Sequence, residues 1–128
     1  MHRNTKQRAV IAACFSNEVG PLSVNEVHAQ AAKQSPSLGI ATVYRAMNAF
    51  VEEGILAPVV IGGTTRYEPA AKRRHHHFHC RQCNAAFCVE DTPVTTSRLA
   101  PKGFTIHEYD LVVSGTCPSC LSENRGEH

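Results

Sequence analysis

Apolar residues recur every three or four positions in three stretches of the first half of the chain, and this spacing predicts three amphipathic helices. We expect them at Thr5–Phe15, at Val24–Lys33 and from Gly39 or Ile40 to Gly54. The third helix has the clearest pattern, because its apolar side chains fall on one stripe. That stripe consists of Ile40, Val43, Met47, Phe50 and Val51.

The residues at the ends of these helices support the predicted limits. Asn4 or Thr5 can cap the first helix. Ser23 and Glu26 have the spacing of a capping box, in which each side chain bonds the backbone N–H of the other residue. Gly54 is typical of the residue that follows a helix C-terminus, because glycine adopts a positive φ without steric cost.

Two short stretches that favour strands follow the third helix, Leu56–Ile61 and Thr65–Pro69. The dipeptide between them, Gly62-Gly63, favours the tight turn of a β-hairpin. Three helices followed by a hairpin is the order of a winged helix-turn-helix, a DNA-binding domain. We therefore predict a winged helix over residues 1–69.

The second half of the chain is patterned differently, with short alternating stretches between turns. We predict strands at His75–Cys80, Ala86–Glu90 and Phe104–Ser114, and a short helix at Pro93–Ala100. The polar end of the chain, Leu121–His128, is expected to fray. The whole pattern predicts an α+β fold with a hinge at 70–74, a small α/β metal-binding domain at 75–121 and a polar tail at 122–128.

Cysteine usage points to a metal site. The chain has six cysteines and no apolar run of the length that a signal peptide or membrane span needs, so we expect a cytoplasmic protein with reduced thiols. Two Cys-x-x-Cys turns can each present two sulfurs to a tetrahedral ion, which predicts a structural zinc; disulfides or a redox dithiol are the alternatives. The four cysteines are Cys80, Cys83, Cys117 and Cys120.

Four histidines crowd into the strand predicted before this site. Side chains alternate along a strand, so His75, His77 and His79 are expected on one face and His76 on the other. Imidazoles on one face favour zinc, iron, manganese or nickel. We predict that His75 and His77 begin a second, regulatory metal site, with His76 and His79 as further candidates.

Residues outside this strand could complete the regulatory site. Glu68, at the end of the predicted hairpin, could reach the same ion from across the hinge. Cys88 is either a core residue or a ligand, and His107 on the last predicted strand is another candidate. A solvated basic run, or a histidine tract that binds metal adventitiously, is the alternative interpretation.

The polar face of the third predicted helix is the candidate DNA surface. Arginine can bind guanine edges or phosphates, and hydroxyl and amide side chains can contact bases or the backbone. Lys6 and Arg8 in the first helix would add phosphate contacts. An ordinary solvated helix face is the alternative. The candidates on the third helix are Thr42, Tyr44, Arg45 and Asn48.

Residues 39–48, Gly-Ile-Ala-Thr-Val-Tyr-Arg-Ala-Met-Asn, resemble the recognition-helix signature of the ferric uptake regulator (Fur) family. The hairpin end Arg66-Tyr67-Glu68, the stretch His75–Cys83 and the stretch Gly115–Cys120 match the family in order and spacing, so the resemblance covers nearly the whole chain. It implies a homodimeric, metal-activated transcriptional repressor with a C-terminal dimerisation domain. It also implies that the four cysteines hold structural zinc and that Glu68, His75 and His77 belong to the regulatory site.

Several positions depart from the family pattern. Many members have a further helix before the first one predicted here. A regulatory histidine often found before the second helix is replaced by Pro21, and a histidine common on the last strand is replaced by Tyr109. The position of His76 is often acidic, and His79 is unusual enough to be a candidate substitute ligand. The completing ligands and a third metal site therefore stay open.

These observations together predict a non-enzymatic, metal-dependent repressor of metal homeostasis that binds operator DNA as a homodimer. The extra imidazoles and Cys88 favour zinc as the regulatory ion, with iron next. A peroxide-responsive regulator on the same scaffold is one alternative, and a zinc-stapled protein-interaction module without DNA binding is another. We expect neither a membrane nor a small-molecule substrate as a partner, and an all-cysteine site lacks the open position of a catalytic zinc.

Overall fold

The computed structural model describes residues 2–16, 20–72, 76–90 and 95–126 of the chain. Within these ranges most of the helices come first and most of the strands follow them, which confirms the predicted α+β class. The order is α1 (His2–Ala13), β1 (Leu22–Ser23), α2 (Val24–Ala31), α3 (Ile40–Glu52), β2 (Leu56–Ile61), β3 (Thr64–Pro69), a 3₁₀ turn (Ala70–Lys72), β4 (His76–Cys80), β5 (Ala86–Cys88), β6 (Leu111–Gly115) and α4 (Pro118–Gly126).

The first three helices enclose an apolar core together with the hairpin. The predicted stripe of α3 faces inward, because Val43 and Met47 are fully buried and Phe50 is nearly so. Ile40, at the first turn, is half exposed instead. The buried members of this core are Ile11, Val27, Ala31, Leu38, Val43, Met47, Phe50, Leu56 and Tyr67.

The capping box of α2 is confirmed. The Glu26 backbone N–H donates to Ser23 Oγ at 3.2 Å, and the Ser23 N–H donates to the Glu26 carboxylate at 2.8 Å. These bonds satisfy donors that the first turn of any helix leaves without an intrahelical partner. Gly54 follows α3 with φ of 77°, as predicted for a C-terminal glycine.

The limits of α1 and α2 differ from the prediction. Helix α1 begins at His2, so the predicted cap at Asn4 or Thr5 is wrong: both residues lie inside the helix. Both helices also end about half a turn early, at Ala13 and Ala31, and tighten into turns with i to i+3 bonds. Such tightening is common where a helix runs out of i to i+4 acceptors.

The hairpin is confirmed, with β3 starting at Thr64. Gly62 and Gly63 both have positive φ, 63° and 77°, which a two-residue hairpin turn of the favoured twist requires. β3 lies between β2 and the unpredicted β1. A two-residue strand leaves no period for sequence reasoning to detect, and β1 exists only because Leu22 and Ser23 pair with β3.

A second three-stranded sheet carries the histidine stretch. β4 lies in its centre, antiparallel to β5 and parallel to β6. The prediction of a strand from Phe104 is wrong, because β6 begins at Leu111. β6 pairs residue by residue with the five described residues of β4, from His76 opposite Leu111 to Cys80 opposite Gly115, and this pairing sets its length.

Two further predictions about the second half are corrected. The predicted helix at Pro93–Ala100 lies partly outside the described residues, and residues 97–99 form a turn in which Leu99 is 62% exposed. Without a face to bury, a short helix has little to stabilise it. The end of the chain is not frayed where it is described, because α4 continues to Gly126 and its first turn is held by the Leu121 N–H bonded to the Cys117 carbonyl.

Candidate metal centres

The parallel pairing of β4 and β6 brings the two Cys-x-x-Cys turns together. Cys80 ends β4 opposite Gly115, the last residue of β6, so the turn after each strand lies at the same edge of the sheet. The Arg81 N–H donates to the Gly115 carbonyl at 2.9 Å and ties the two turns. The structure therefore places all four cysteines of the sequence prediction in one cluster.

The four thiols fit a tetrahedral zinc. Their sulfur atoms lie within 4.8 Å of one another, and the Cys80–Cys120 and Cys83–Cys117 Sγ–Sγ distances are both 3.8 Å. Zinc–sulfur bonds of about 2.3 Å in a tetrahedron require sulfur–sulfur distances of about 3.8 Å. All four are free thiols. Spacing and chemistry thus suit a closed structural site and leave no position open for substrate.

The thiols are not electrostatically equivalent. The backbone N–H groups of Cys83 and Cys117 point at the Cys80 sulfur, at 3.5 and 3.4 Å, and lower the pKa of the Cys80 thiol to about 6. Burial raises the pKa of Cys120 well above its usual range. Cys80 is thus ready as a thiolate at neutral pH, whereas Cys120 needs a cation beside it to ionise.

A second cluster lies where the two sheets meet. Glu68 on β3, His77 on β4 and Cys88 on β5 each place a ligand atom within 4.8 Å of the other two. His77 and Cys88 are directly paired across β4 and β5. Glu68 Oε1 lies 3.3 Å from His77 Nε2, and both side chains are at least 97% buried. One oxygen, one nitrogen and one sulfur ligand therefore converge from three strands.

The Glu68 carboxylate supports a metal at this cluster. Its second oxygen, Oε2, is buried and has no hydrogen-bond partner among the described residues. A buried carboxylate oxygen left without a donor is costly, and a bound cation would satisfy it. The three residues thus fit the regulatory site that the sequence predicted, with the Cys88 sulfur placed beside Glu68 and His77.

The other candidate ligands that the structure describes lie outside this cluster. His75 falls outside the described residues. His76 lies on the opposite face of β4, as strand alternation predicted, with its ring 5.3 Å from that of Tyr109. His79 pairs with Asn84, and His107 is exposed. In the part of the chain that the structure describes, none of these last three joins a group of three metal-ligating side chains.

A buried charged residue near the two metal centres, Arg66, was not predicted to have a role. Arg66 on β3 is only 1% exposed, and its guanidinium donates to the carbonyl oxygen of Asn84, just after the first cysteine pair, at 2.6 Å. Strand alternation could have revealed it, because Arg66 and Glu68 are two residues apart and therefore share a face of β3.

The candidate DNA surface is on α3. Tyr44 is 52% exposed, Arg45 is exposed and donates to Thr42 Oγ1 at 3.3 Å, and Asn48 is half buried. On α1, Lys6 is exposed. Arg8 is already engaged: its guanidinium forms two bonds with Glu53 at 2.8 and 3.2 Å and lies 4.7 Å over the Phe50 ring.

These features can be compared with known proteins. The model of the ferric uptake regulator family matches residues 1–114. The chain belongs to this family. Fur-family proteins are metal-responsive transcriptional regulators of metal uptake rather than enzymes. This identifies the N-terminal half as a winged-helix domain and the C-terminal half as a dimerisation domain.

Individual relatives cover most of the chain. The ferric uptake regulation protein of Bacillus subtilis is 29% identical over 93% of this chain and 85% of its own length. The zinc uptake regulation protein of Mycobacterium tuberculosis H37Rv is 28% identical over 94% and 95%. A zinc-bound manganese uptake regulator superposes with a TM-score of 0.74 at 27% identity, over 87% of each chain. The Francisella tularensis ferric uptake regulator with iron gives 0.62 at 27%, over 90% and 91%.

No helix among the described residues combines the length and apolar character needed to cross a membrane.

Proposed function

We propose that this Fur-family chain is a zinc-responsive repressor that binds operator DNA as a homodimer when a regulatory zinc joins Glu68, His77 and Cys88. The convergence of these three residues at the meeting point of the two sheets carries the proposal. A second zinc, held by Cys80, Cys83, Cys117 and Cys120, would be structural.

Cys88 is the reason for preferring zinc. The similar relatives have names that include iron, zinc and manganese at nearly equal identity, so they do not select an ion. Carboxylate and imidazole alone would suit several divalent metals, but a thiolate favours zinc over manganese. The half-buried Cys88 sulfur is thus the group that narrows the choice.

The position of the site supports a switch. Glu68 belongs to the hairpin of the winged helix, whereas His77 and Cys88 belong to the second sheet. Occupation of all three positions would favour the arrangement in which the two domains are held together. Typical allosteric coupling of about 1–3 kcal/mol would be enough to change DNA affinity by one to two orders of magnitude.

The exposed face of α3 supports DNA contact. Arg45 and Tyr44 project from it, and the N-terminal residues of a recognition helix are the ones that reach base edges. Lys6 would contact phosphate, and Arg8 would do so only by leaving Glu53. Replacement of Arg45 by alanine should cost about 1–3 kcal/mol of DNA binding if it contacts a base.

The test is a DNA-binding titration of protein that retains one zinc per chain. The probe is a duplex selected from a random library with zinc-saturated protein, and zinc, iron(II) and manganese are added in turn. We expect zinc to restore binding at the lowest free concentration. Cys88→Ser should raise the zinc concentration needed by roughly tenfold or more, since outer-shell changes alone cost 10- to 100-fold.

Cys14→Ser is the matched control, because Cys14 is a half-buried thiol within the winged helix and far along the chain from the cluster. It should leave the zinc response unchanged. Equal zinc affinity of Cys88→Ser and the unaltered protein would refute the zinc assignment. Linkage adds a second check: DNA must raise the affinity of the regulatory metal by the factor by which the metal raises DNA affinity.

A further inference from the structure

The fully buried guanidinium of Arg66 connects three parts of the molecule. Its Nε donates to the Ile61 carbonyl at 3.2 Å, within its own hairpin. One terminal nitrogen lies 3.5 Å from Glu26 on α2, and the other donates to the Asn84 carbonyl at 2.6 Å. A buried cation requires such acceptors, and the shortest of the three comes from the other domain.

Asn84 is itself held firmly in the turn that follows Cys83. Its N–H donates to the Cys80 carbonyl at 2.9 Å, and its φ is 66°, a left-handed conformation that asparagine tolerates better than most residues. Its carbonyl is therefore presented by the same turn that positions the first two cysteine sulfurs. We call residues 80–84 the zinc turn.

A second contact joins the zinc turn to the hairpin tip. His79 Nε2 lies 2.7 Å from Asn84 Oδ1, and the His79 ring packs against Gly62. A methyl group at Gly62 would lie 2.5 Å from ring atoms of His79, so the close approach requires glycine there. The unusual histidine of this strand thus contacts the hairpin rather than a metal cluster.

Two neighbouring side chains of β3 contact the second half of the chain. Arg66 and Glu68 point to one face of β3, while Tyr67 between them enters the apolar core. Glu68 meets His77 in the candidate regulatory site, and Arg66 meets the zinc turn. One face of β3 therefore carries two connections to the second sheet, one through the candidate regulatory site and one through the zinc turn.

We propose that Arg66 is a positioning residue that locks the winged helix onto the zinc turn, so that the orientation of the recognition helix depends on the integrity of the four-cysteine site. Glu26, which caps α2 and faces Arg66, links this lock to the helix that precedes α3. The lock itself does not rest on the proposed regulatory zinc. Its effect on regulatory-metal affinity does.

The test measures residual dipolar couplings of backbone amides in protein that carries zinc at the four-cysteine site alone. Couplings within each domain report whether that domain is folded, and the two alignment tensors report how far the domains move together. In Arg66→Met the tensors should diverge, while the couplings within each domain keep their native fit. An unchanged relation between the two tensors would overturn the proposal.

Arg8→Met is the matched control, because it removes an arginine ion pair that lies wholly inside the winged helix. It should leave the two tensors related as in the unaltered protein. Should Arg66→Met fail to fold, Arg66→Gln keeps a donor in the buried position but cannot bridge three acceptors, and the same divergence is expected. If neither variant folded, the proposal would also be overturned, since a lock between domains must leave each domain intact.

A second measurement depends on the proposed function. With the domains less well aligned, the regulatory site of Arg66→Met should bind zinc about fivefold more weakly or worse, within the usual range of coupling factors. Divergent tensors with unchanged zinc affinity would contradict the regulatory site and leave the lock standing. An unchanged relation between the two tensors, together with weaker zinc binding, would overturn the lock and leave the regulatory site standing.

Discussion

The two halves of this Fur-family chain are stabilised by different interactions. The winged helix buries nine residues in one continuous cluster, all but Tyr67 purely apolar. The buried cluster around the zinc turn consists of Cys80, Cys117 and Cys120, with two partly buried phenylalanines beside it. The first half thus has a hydrophobic core of its own, whereas the second has thiols where a core would be.

This difference separates two ways of reaching stability in a small domain. Burial of apolar surface contributes about 25 cal/mol per Å², so the first half gains from many side chains at once. A half-domain of some fifty residues with few buried apolar side chains is below the size that usually folds unaided, and a structural metal can supply what is missing. The first half should therefore tolerate loss of metal, and the second should not.

The largest expected effect is that of Cys117→Ser. Structural zinc sites contribute about 10–16 kcal/mol, comparable to the whole stability of a typical domain. We expect zinc to be lost and residues 76–126 to unfold while the α1–α3 amides stay protected from hydrogen exchange. Zinc content and exchange rates measure both, with Cys14→Ser as control. Protected β4 and β6 amides in the zinc-free variant would show that the second half has a sufficient core after all.

A smaller side chain in the core of the winged helix should destabilise the first half and leave the four-cysteine zinc site intact. Met47 is fully buried in the winged helix, and Met47→Ala should destabilise that half by about 2–5 kcal/mol through lost contacts and a residual cavity. Urea unfolding followed by helical circular dichroism measures it. Bound zinc should remain at the four-cysteine site in the native baseline. Zinc release before α1–α3 unfold would contradict the separation of the two halves.

The capping box gives a smaller effect within the first half. Ser23→Ala removes the acceptor of the Glu26 N–H and should cost about 1 kcal/mol in the same urea experiment. Ser16→Ala is the control, since its exposed hydroxyl donates to the carbonyl of Ala13, the last residue of α1. Equal losses in both variants would mean that the box adds nothing specific.

The same division explains what the sequence could predict. Periodicity located α2, α3 and the hairpin to within one or two residues. A helix or strand that buries one face has apolar residues at a regular spacing, and this spacing can be read from the sequence. In the second half, the spacing of the cysteine pairs indicated the structural site. The length of β6 depends on its pairing with β4, a non-local contact that the sequence pattern of residues 104–110 does not reveal.

Side-chain roles at the junction were the hardest to anticipate. His77 and Glu68 were predicted to meet. For Cys88 the sequence allowed either a core residue or a ligand, because its pairing with His77 on β4 depends on the register of β5, a strand of three residues. Arg66 received no role, since a lone arginine on a strand is usually solvated. The approach of the zinc turn to the hairpin gives Arg66 its shortest hydrogen bond, which it donates to the Asn84 carbonyl.

The parallel pairing of β4 and β6 also has a consequence for how the chain folds. Thirty-seven residues separate Cys80 from Cys117, and a parallel pair cannot form until the later strand exists. All the elements of the winged helix precede both strands in the chain, so that domain can fold while the rest is still being synthesised. Assembly then ends with zinc capture by the final cysteines, and until that step any nascent chain offers a folded DNA-binding domain without its partner domain.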